Sequence, residues 1–263
     1  MRAPDGTVYD LTGEGPPVVL VHGFGLDRHM WQWLLPDVAD FRVLSYDLTG
    51  HGESPDPAQT PSLMMFGEQI LRLMDHCGID RAAIAGFSLG GMIARRFVID
   101  HADRVSALAI LNSAHARTSE DRAAILKRVE QARASGPAST VEAALERWFT
   151  APFREAHPEI MDRVRAWVRA NRPAVYPEIY RVLAEGDIEI AGPIRGISCP
   201  TLVMTGEEDY GNSPEMTRRM AEAIPESEAL ILPGLRHMGL AEDPRAFNAP
   251  VVGFLKRHLA ARG

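Results

Sequence analysis

A serine flanked two positions away on each side by glycine occurs in Gly86-Phe87-Ser88-Leu89-Gly90. It follows the apolar run Ala82-Ala83-Ile84-Ala85, which reads as a buried strand. It precedes Gly91-Met92-Ile93-Ala94-Arg95-Arg96-Phe97, which reads as a helix. That spacing at a strand-to-helix junction is the sequence form of a nucleophile elbow. The turn leaves no room for side chains at the flanking positions and projects the serine hydroxyl over the sheet edge. A serine so placed attacks a carbonyl once a base removes its proton. Taken alone, the pentapeptide also fits an ordinary glycine-rich turn, so its partners have to be found elsewhere in the chain.

The partners required are a carboxylate, a histidine and donors for an oxyanion, in the chain order nucleophile, acid, base. Asp209 follows the strand-like run Thr201-Leu202-Val203-Met204 through Gly206-Glu207-Glu208. It lies beyond a strand's carboxyl end, where open α/β sheets bind their ligands. Glu207 and Glu208 are rival carboxylates. His237, in Gly234-Leu235-Arg236-His237-Met238-Gly239, follows the run Ala229 to Leu232 and precedes the last helix. The amide of Leu89, next after the serine, supplies one oxyanion donor. The second is expected from Phe24, in the loop His22-Gly23-Phe24-Gly25 that follows the strand Pro17 to Val21. His22 is expected to prop that loop, and His51 to serve the turn Gly50-His51-Gly52.

Elements able to position these residues are legible as alternating strands and helices. Phe41 to Tyr46 and Val105 to Leu111 are further strand-like runs, and Leu63, Phe66, Ile70, Leu73 and Cys77 recur at helical spacing. Strands alternating with helices imply a mostly parallel sheet covered on both faces, an α/β class. From Ala114 to Arg195 no strand is evident. Ser139-Thr140-Val141-Glu142 has the form of a capping box opening a helix with Val141, Leu145 and Trp148. Two more helices carry Ile160, Val164 and Trp167, then Ile179 and Val182. Residues 114–195 therefore read as a helical lid inserted into a core formed by 1–113 and 196–263. The alternative is a packing subdomain without substrate contact. The final helix, about Pro244 to Leu259, sets Phe247, Val251, Phe254, Leu255 and His258 on one side.

Composition removes several function classes. The chain has 263 residues, 46% hydrophobic and 24% charged, with a formal net charge of −7. That charge argues against a nucleic-acid partner. No apolar run approaches the ~18 residues that span a bilayer, and the polar start Met1-Arg2-Ala3-Pro4-Asp5-Gly6 gives no secretory leader. A cytoplasmic protein without membrane partners is expected. Cys77 and Cys199 offer neither a disulfide framework nor zinc spacing, and no metal site is expected.

With these pieces in place, the chain resembles the α/β-hydrolase superfamily. The resemblance rests on His22 to Gly25, Asp47-Leu48-Thr49-Gly50-His51-Gly52-Glu53-Ser54, Gly86 to Gly91, Gly206 to Asp209 and Gly234 to His237, in order over nearly the whole chain. It implies an eight-stranded sheet and a reaction without a cofactor. A short N-terminal segment puts the first of those strands in doubt, and Thr49 stands where the family often has arginine. Leu26 to Trp31 and Glu146-Arg147-Trp148-Phe149-Thr150 are similar to the 3-oxoadipate enol-lactonase-like hydrolases. That likeness implies that Arg147 grips a substrate carboxylate and Trp148 forms an apolar wall. The alternative is a solvated Arg147 and a Trp148 in the lid core. The expected activity is hydrolysis of a small ester or lactone by Ser88, His237 and Asp209. The alternatives are hydrolytic C–C cleavage of a vinylogous diketone by the same triad, and a binding module that has lost catalysis.

Overall fold

The run Ala82–Phe87 is buried at every position and forms the middle strand of a seven-stranded sheet. The computed structural model describes residues 1–259. Residues 260–263, the end of the segment 196–263 assigned to the core, lie outside it. In chain order the strands are β1 (Tyr9–Thr12), β2 (Pro17–Val21), β3 (Arg42–Tyr46), β4 (Ala82–Phe87), β5 (Val105–Leu111), β6 (Thr201–Gly206) and β7 (Ser227–Leu232). Their order across the sheet is β1-β3-β2-β4-β5-β6-β7. Only β1 runs antiparallel, pairing with β3 from Tyr9 opposite Tyr46 to Thr12 opposite Val43. The family resemblance implies eight strands; the described residues form seven. Ahead of β1, Arg2 and Val8 form a single antiparallel bridge.

This order fixes where a site can form. From β2 the chain moves one way to β3; from β4 onward it moves the other way, to β5, β6 and β7. Right-handed crossovers then put the connections on opposite faces. The reversal leaves a crevice between the carboxyl ends of β2 and β4, the position where such sheets bind ligands. The loop carrying Phe24 leaves β2 at that point, and Ser88 leaves β4 beside it.

The helices that cover the sheet are α1 (Leu63–His76) and α2 (Leu89–Asp100), followed by the insertion. The insertion contains α3 (Ser119–Ser135), α4 (Val141–Trp148), α5 (Ala151–Ala156), α6 (Pro158–Arg169), α7 (Tyr176–Glu185) and α8 (Asp187–Ile190). After it come α9 (Pro214–Ala223), α10 (Gly239–Glu242) and α11 (Pro244–Leu259). The α2 helix lies against β4 and β5 with α1 beside it, and α11 packs on β5. His258, expected on the buried side of α11, is exposed. No helix among the described residues is long and apolar enough to cross a membrane.

One local expectation is corrected. Ser139 and Glu142 do not form a capping box. Pro137–Thr140 makes a 3-10 turn of its own, so Ser139 sits inside helical backbone. There its hydroxyl bonds back to the Gly136 carbonyl at 2.7 Å, as serine does when no free amide faces it. The capping box lies earlier and opens α3. The Thr118 hydroxyl accepts from the Asp121 amide at 3.1 Å, and the Asp121 carboxylate accepts from the Thr118 amide at 3.2 Å.

Candidate active site

Ser88 adopts φ 56° and ψ −115°, a conformation that side-chain-bearing residues rarely take. Such a residue costs of order 1–3 kcal/mol and persists only where its surroundings hold it. The constraints are visible. A Cβ on Gly86 would stand 2.2 Å from the Gly90 carbonyl oxygen, and one on Gly90 would stand 2.1 Å from that of Val21. The Ser88 amide donates to the Leu111 carbonyl at 2.8 Å. Its own carbonyl accepts from the Ser113 hydroxyl at 2.7 Å. Ser113 is held in turn by Arg95, which also donates to Ala114 O at 2.6 Å and Gly91 O at 3.0 Å. Arg95 is fully buried, and burial draws its pKa down to about 9.

Asp209 and His237 meet beyond the carboxyl end of β6. The imidazole Nδ1–H donates to Asp209 Oδ2 at 2.7 Å, both side chains being buried. In the neutral ring that bond places the proton on Nδ1 and leaves Nε2 as the acceptor. Asp209 is oriented by three further donors: Asn112 Nδ2 at 3.0 Å, the Asn212 amide at 3.0 Å and Asn212 Nδ2 at 3.5 Å, while the Thr205 hydroxyl gives its proton to the Asn212 carbonyl at 2.9 Å. Glu207 and Glu208, the rival carboxylates, turn elsewhere. Glu207 accepts from the Gly234 amide and Glu208 pairs with Arg236. The Phe87 and Trp148 rings flank the imidazole, with centroids 4.9 and 5.9 Å away. Ser88 and His237 line one cavity. Among the described residues the Ser88 hydroxyl makes no hydrogen bond to the imidazole. Such bonds are often long in unliganded sites and shorten when substrate binds.

The two candidate oxyanion amides, Phe24 and Leu89, have no backbone acceptor among the described residues. The loop that carries Phe24 is fixed by two neutral histidines. His22 Nδ1 donates to the Gly23 carbonyl at 2.8 Å, and its Nε2 accepts from the Leu48 amide at 2.9 Å. His51 Nε2 accepts from the Gly25 amide at 3.1 Å. Burial lowers the pKa of both rings. From the insertion, Asn171 Nδ2 donates to the Gly25 carbonyl at 3.0 Å.

Over Ser88 lies a cavity of about 250 Å³ that the insertion roofs. Arg147 and Trp148 both line it, as do Arg117, Arg128, Tyr176 and Tyr180. The Tyr176 and Tyr180 rings each lie tilted against Phe24, with centroids 4.4 Å away. Arg147 is half-buried, and its pKa falls, chiefly through burial and then through the nearby Arg128. Asn112, Asn212 and the residues from α3 and α7 are absent from the sequence reading. The helical spacing of Asp121, Ala124, Ile125 and Arg128, and of Tyr176, Tyr180 and Leu183, is the signal that could have found the latter two groups. Among the described residues, no group of three or more His, Cys, Asp or Glu is arranged to hold a metal ion.

Comparison with known proteins identifies the family and the fold. The model of the alpha/beta hydrolase fold family matches residues 16–244. The (E)-2-((N-methylformamido)methylene)succinate hydrolase of Acinetobacter baylyi is 30% identical over 94% of this chain and 93% of its own. The 3-oxoadipate enol-lactonase 2 of the same organism is 28% identical over 92% and 89%. Among solved structures, the enol-lactonase of Burkholderia xenovorans LB400 superposes with a TM-score of 0.89 at 30% identity, covering 95% of this chain and 96% of that one. A thermophilic esterase from Thermogutta terrifontis, with malate bound, gives 0.88 at 28% identity, covering 98% and 96%.

Proposed function

The chain belongs to the alpha/beta hydrolase family, and we propose that it is a serine hydrolase of small carboxylic esters or lactones. The observation that carries this reading is the 2.7 Å contact between His237 Nδ1 and Asp209 Oδ2, on the wall of the cavity that Ser88 lines.

Ser88 Oγ attacks the acyl carbon while His237 Nε2 takes its proton, and Asp209 stabilises the imidazolium that forms. The oxyanion accepts from the Phe24 and Leu89 amides; one such donor is typically worth about 3–4 kcal/mol. Collapse breaks the acyl–oxygen bond, and the leaving alkoxide or enolate takes the proton from His237. A water deprotonated by His237 then attacks the acyl-enzyme, and the acid product departs as Ser88 regains its proton. Residues 114–195 act as a lid that supplies the substrate contacts. Arg147 grips a carboxylate and Trp148 walls the site beside the imidazole. Relatives named for a 3-oxoadipate enol-lactone and a substituted succinate support a small substrate that bears carboxylate.

The test is hydrolysis of p-nitrophenyl acetate and of enol-lactones by the wild type and by Ser88→Ala, alongside labelling with a fluorophosphonate. Turnover that vanishes in the variant, with label on Ser88, is the expected result. Undiminished turnover in Ser88→Ala, or a protein inert to both ester and label, overturns it. A preference for vinylogous diketones over every ester in the same panel moves the reaction to C–C cleavage by the same triad.

A further inference from the structure

Four side chains of α3 reach the cavity at helical spacing: Asp121, Ala124, Ile125 and Arg128. Arg128 is half-buried, and its Nε donates to the Tyr180 hydroxyl at 2.9 Å. Tyr180 packs against Phe24 with ring centroids 4.4 Å apart, so this guanidinium is referenced to the loop beside Ser88. From the facing helix α4, Arg147 enters the same space.

The charges on this wall do not balance. Arg117 has Asp187 behind it at 3.9 Å. The Asp121 carboxylate caps its own helix. Among the described residues, neither Arg128 nor Arg147 has a carboxylate oxygen within 4.0 Å. Two guanidiniums from different helices thus share a partly desolvated cavity without a carboxylate at pairing distance, close enough that Arg128 disfavours the charge on Arg147 more than Glu146 favours it. Charges removed from water without partners are costly. Carboxylates brought by a ligand relieve that cost, and each guanidinium offers two parallel N–H donors to take one.

We propose that the cavity selects a substrate bearing two carboxylates, with Arg128 as a specificity-determining residue that works beside Arg147. This rests on the reading of the Ser88 cavity as the catalytic site. It goes further by giving the substrate a charge of −2 and assigning the second charge to α3. Tyr176 and Tyr180 then cover the apolar stem between the charged end and the acyl carbon, which sits at Ser88.

The experiment uses three p-nitrophenyl esters: the acetate, the hemisuccinate with one free carboxylate, and the monoester of propane-1,2,3-tricarboxylic acid with two. Within each protein, kcat/KM for the charged esters is divided by that for the acetate, so a general loss of activity cancels. In the wild type the two-carboxylate ester is expected to exceed the one-carboxylate ester by about ten-fold or more. Arg128→Met and Arg147→Met should each lower the two-carboxylate ratio by about ten-fold. Arg128→Lys should recover part of the loss, since a point charge replaces a fork. Equal wild-type ratios, or a ratio unmoved by Arg128→Met, overturn the proposal. Calorimetric titration with adipate and with hexanoate reads the same site without turnover. Adipate should bind at least about ten-fold more tightly, and Arg128→Met should remove the difference; equal binding of the two acids counts against the proposal. Ester turnover that persists in Ser88→Ala would instead remove the catalytic reading, leaving the adipate titration to decide this one.

Discussion

The backbone amide of Met238 donates to the carbonyl of Trp148 at 2.9 Å, joining the loop of the candidate base directly to the end of α4. Two side chains reinforce the joint. Arg236 donates to the carbonyls of Glu146 at 2.7 Å and Phe149 at 3.1 Å. Glu242 accepts from the Thr150 amide at 2.7 Å and from the Arg236 amide at 2.8 Å. The indole beside His237 is therefore positioned by the same bonds that hold the histidine loop.

Glu242 ties both sides of this joint, so its removal is the direct test. Glu242→Ala leaves two amides without their carboxylate, each worth about 1.5–3 kcal/mol when charge-assisted. Water at this half-buried position recovers part of that. We expect a net loss of about 1–3 kcal/mol, read as a lower midpoint in thermal unfolding. KM for neutral esters should rise as Trp148 loosens. A variant with unchanged melting and unchanged KM would show that the joint contributes nothing to the site.

How much of this was legible in the chain follows from which constraints are local. The Ser88 elbow is written in Gly86 and Gly90 because no other residue fits where a Cβ would strike backbone. Asp209 and His237 are legible because each ends a strand run, and strand ends share one edge of a parallel sheet. Asn112 was not legible. Its contact with Asp209 depends on β5 and β6 being neighbours, with residue 112 in a left-handed conformation (φ 48°). The start of α3 was missed for a chemical reason. Thr118-x-x-Asp121 closes its box with aspartate rather than the glutamate that draws attention at Ser139-x-x-Glu142. Pro137 had already committed that second segment to a turn. The charged wall of the cavity was half legible: Arg147 came through resemblance, whereas Arg128 needed the fold to pack α3 on α7.

His115 gives a prediction about acid stability. It is buried, and its pKa is lowered to about 4 by desolvation and then by the charges of Arg95, Arg219 and Arg195. In the unfolded chain it binds a proton near pH 6.5. Below that pH the unfolded state holds more protons than the folded one, so stability falls as the pH drops. The loss from this group runs from about pH 6.5 down to about pH 4 and is complete below that. His115→Gln removes the titration, so its melting temperature should decline less steeply across that window than the wild type's. His22 and His51 act with the same sign and keep the variant's slope above zero. Parallel curves for the two proteins between pH 7 and pH 4 would rule out His115 as a contributor.

Arg172 bears on the turn at Thr49, the position for which the family resemblance implies arginine. In this fold three other arginines reach the same turn, Arg2 through the Glu53 carbonyl at 3.4 Å. Arg28 pairs with Asp47 at 2.6 Å, with Asp10 at 2.8 Å and with Glu53 at 2.8 Å. Arg172, which lies between α6 and α7, donates to the Ser54 carbonyl at 3.0 Å and the Gly52 carbonyl at 3.4 Å and pairs with Asp56. Next to it, Asn171 holds the Gly25 carbonyl. One corner of the insertion thus clasps both the turn after β3 and the loop that carries Phe24. Arg172→Ala should cost about 1–2 kcal/mol, because two carbonyls and one carboxylate lose a partly exposed partner. Lost order in the Gly23 to Gly25 loop should lower kcat for esters more than it raises KM, since an oxyanion donor acts in the transition state. Melting measured beside the kcat and KM of the variant separates the two effects. A fall in stability with kcat intact would confine Arg172 to holding the insertion, with no influence on the loop beside Ser88.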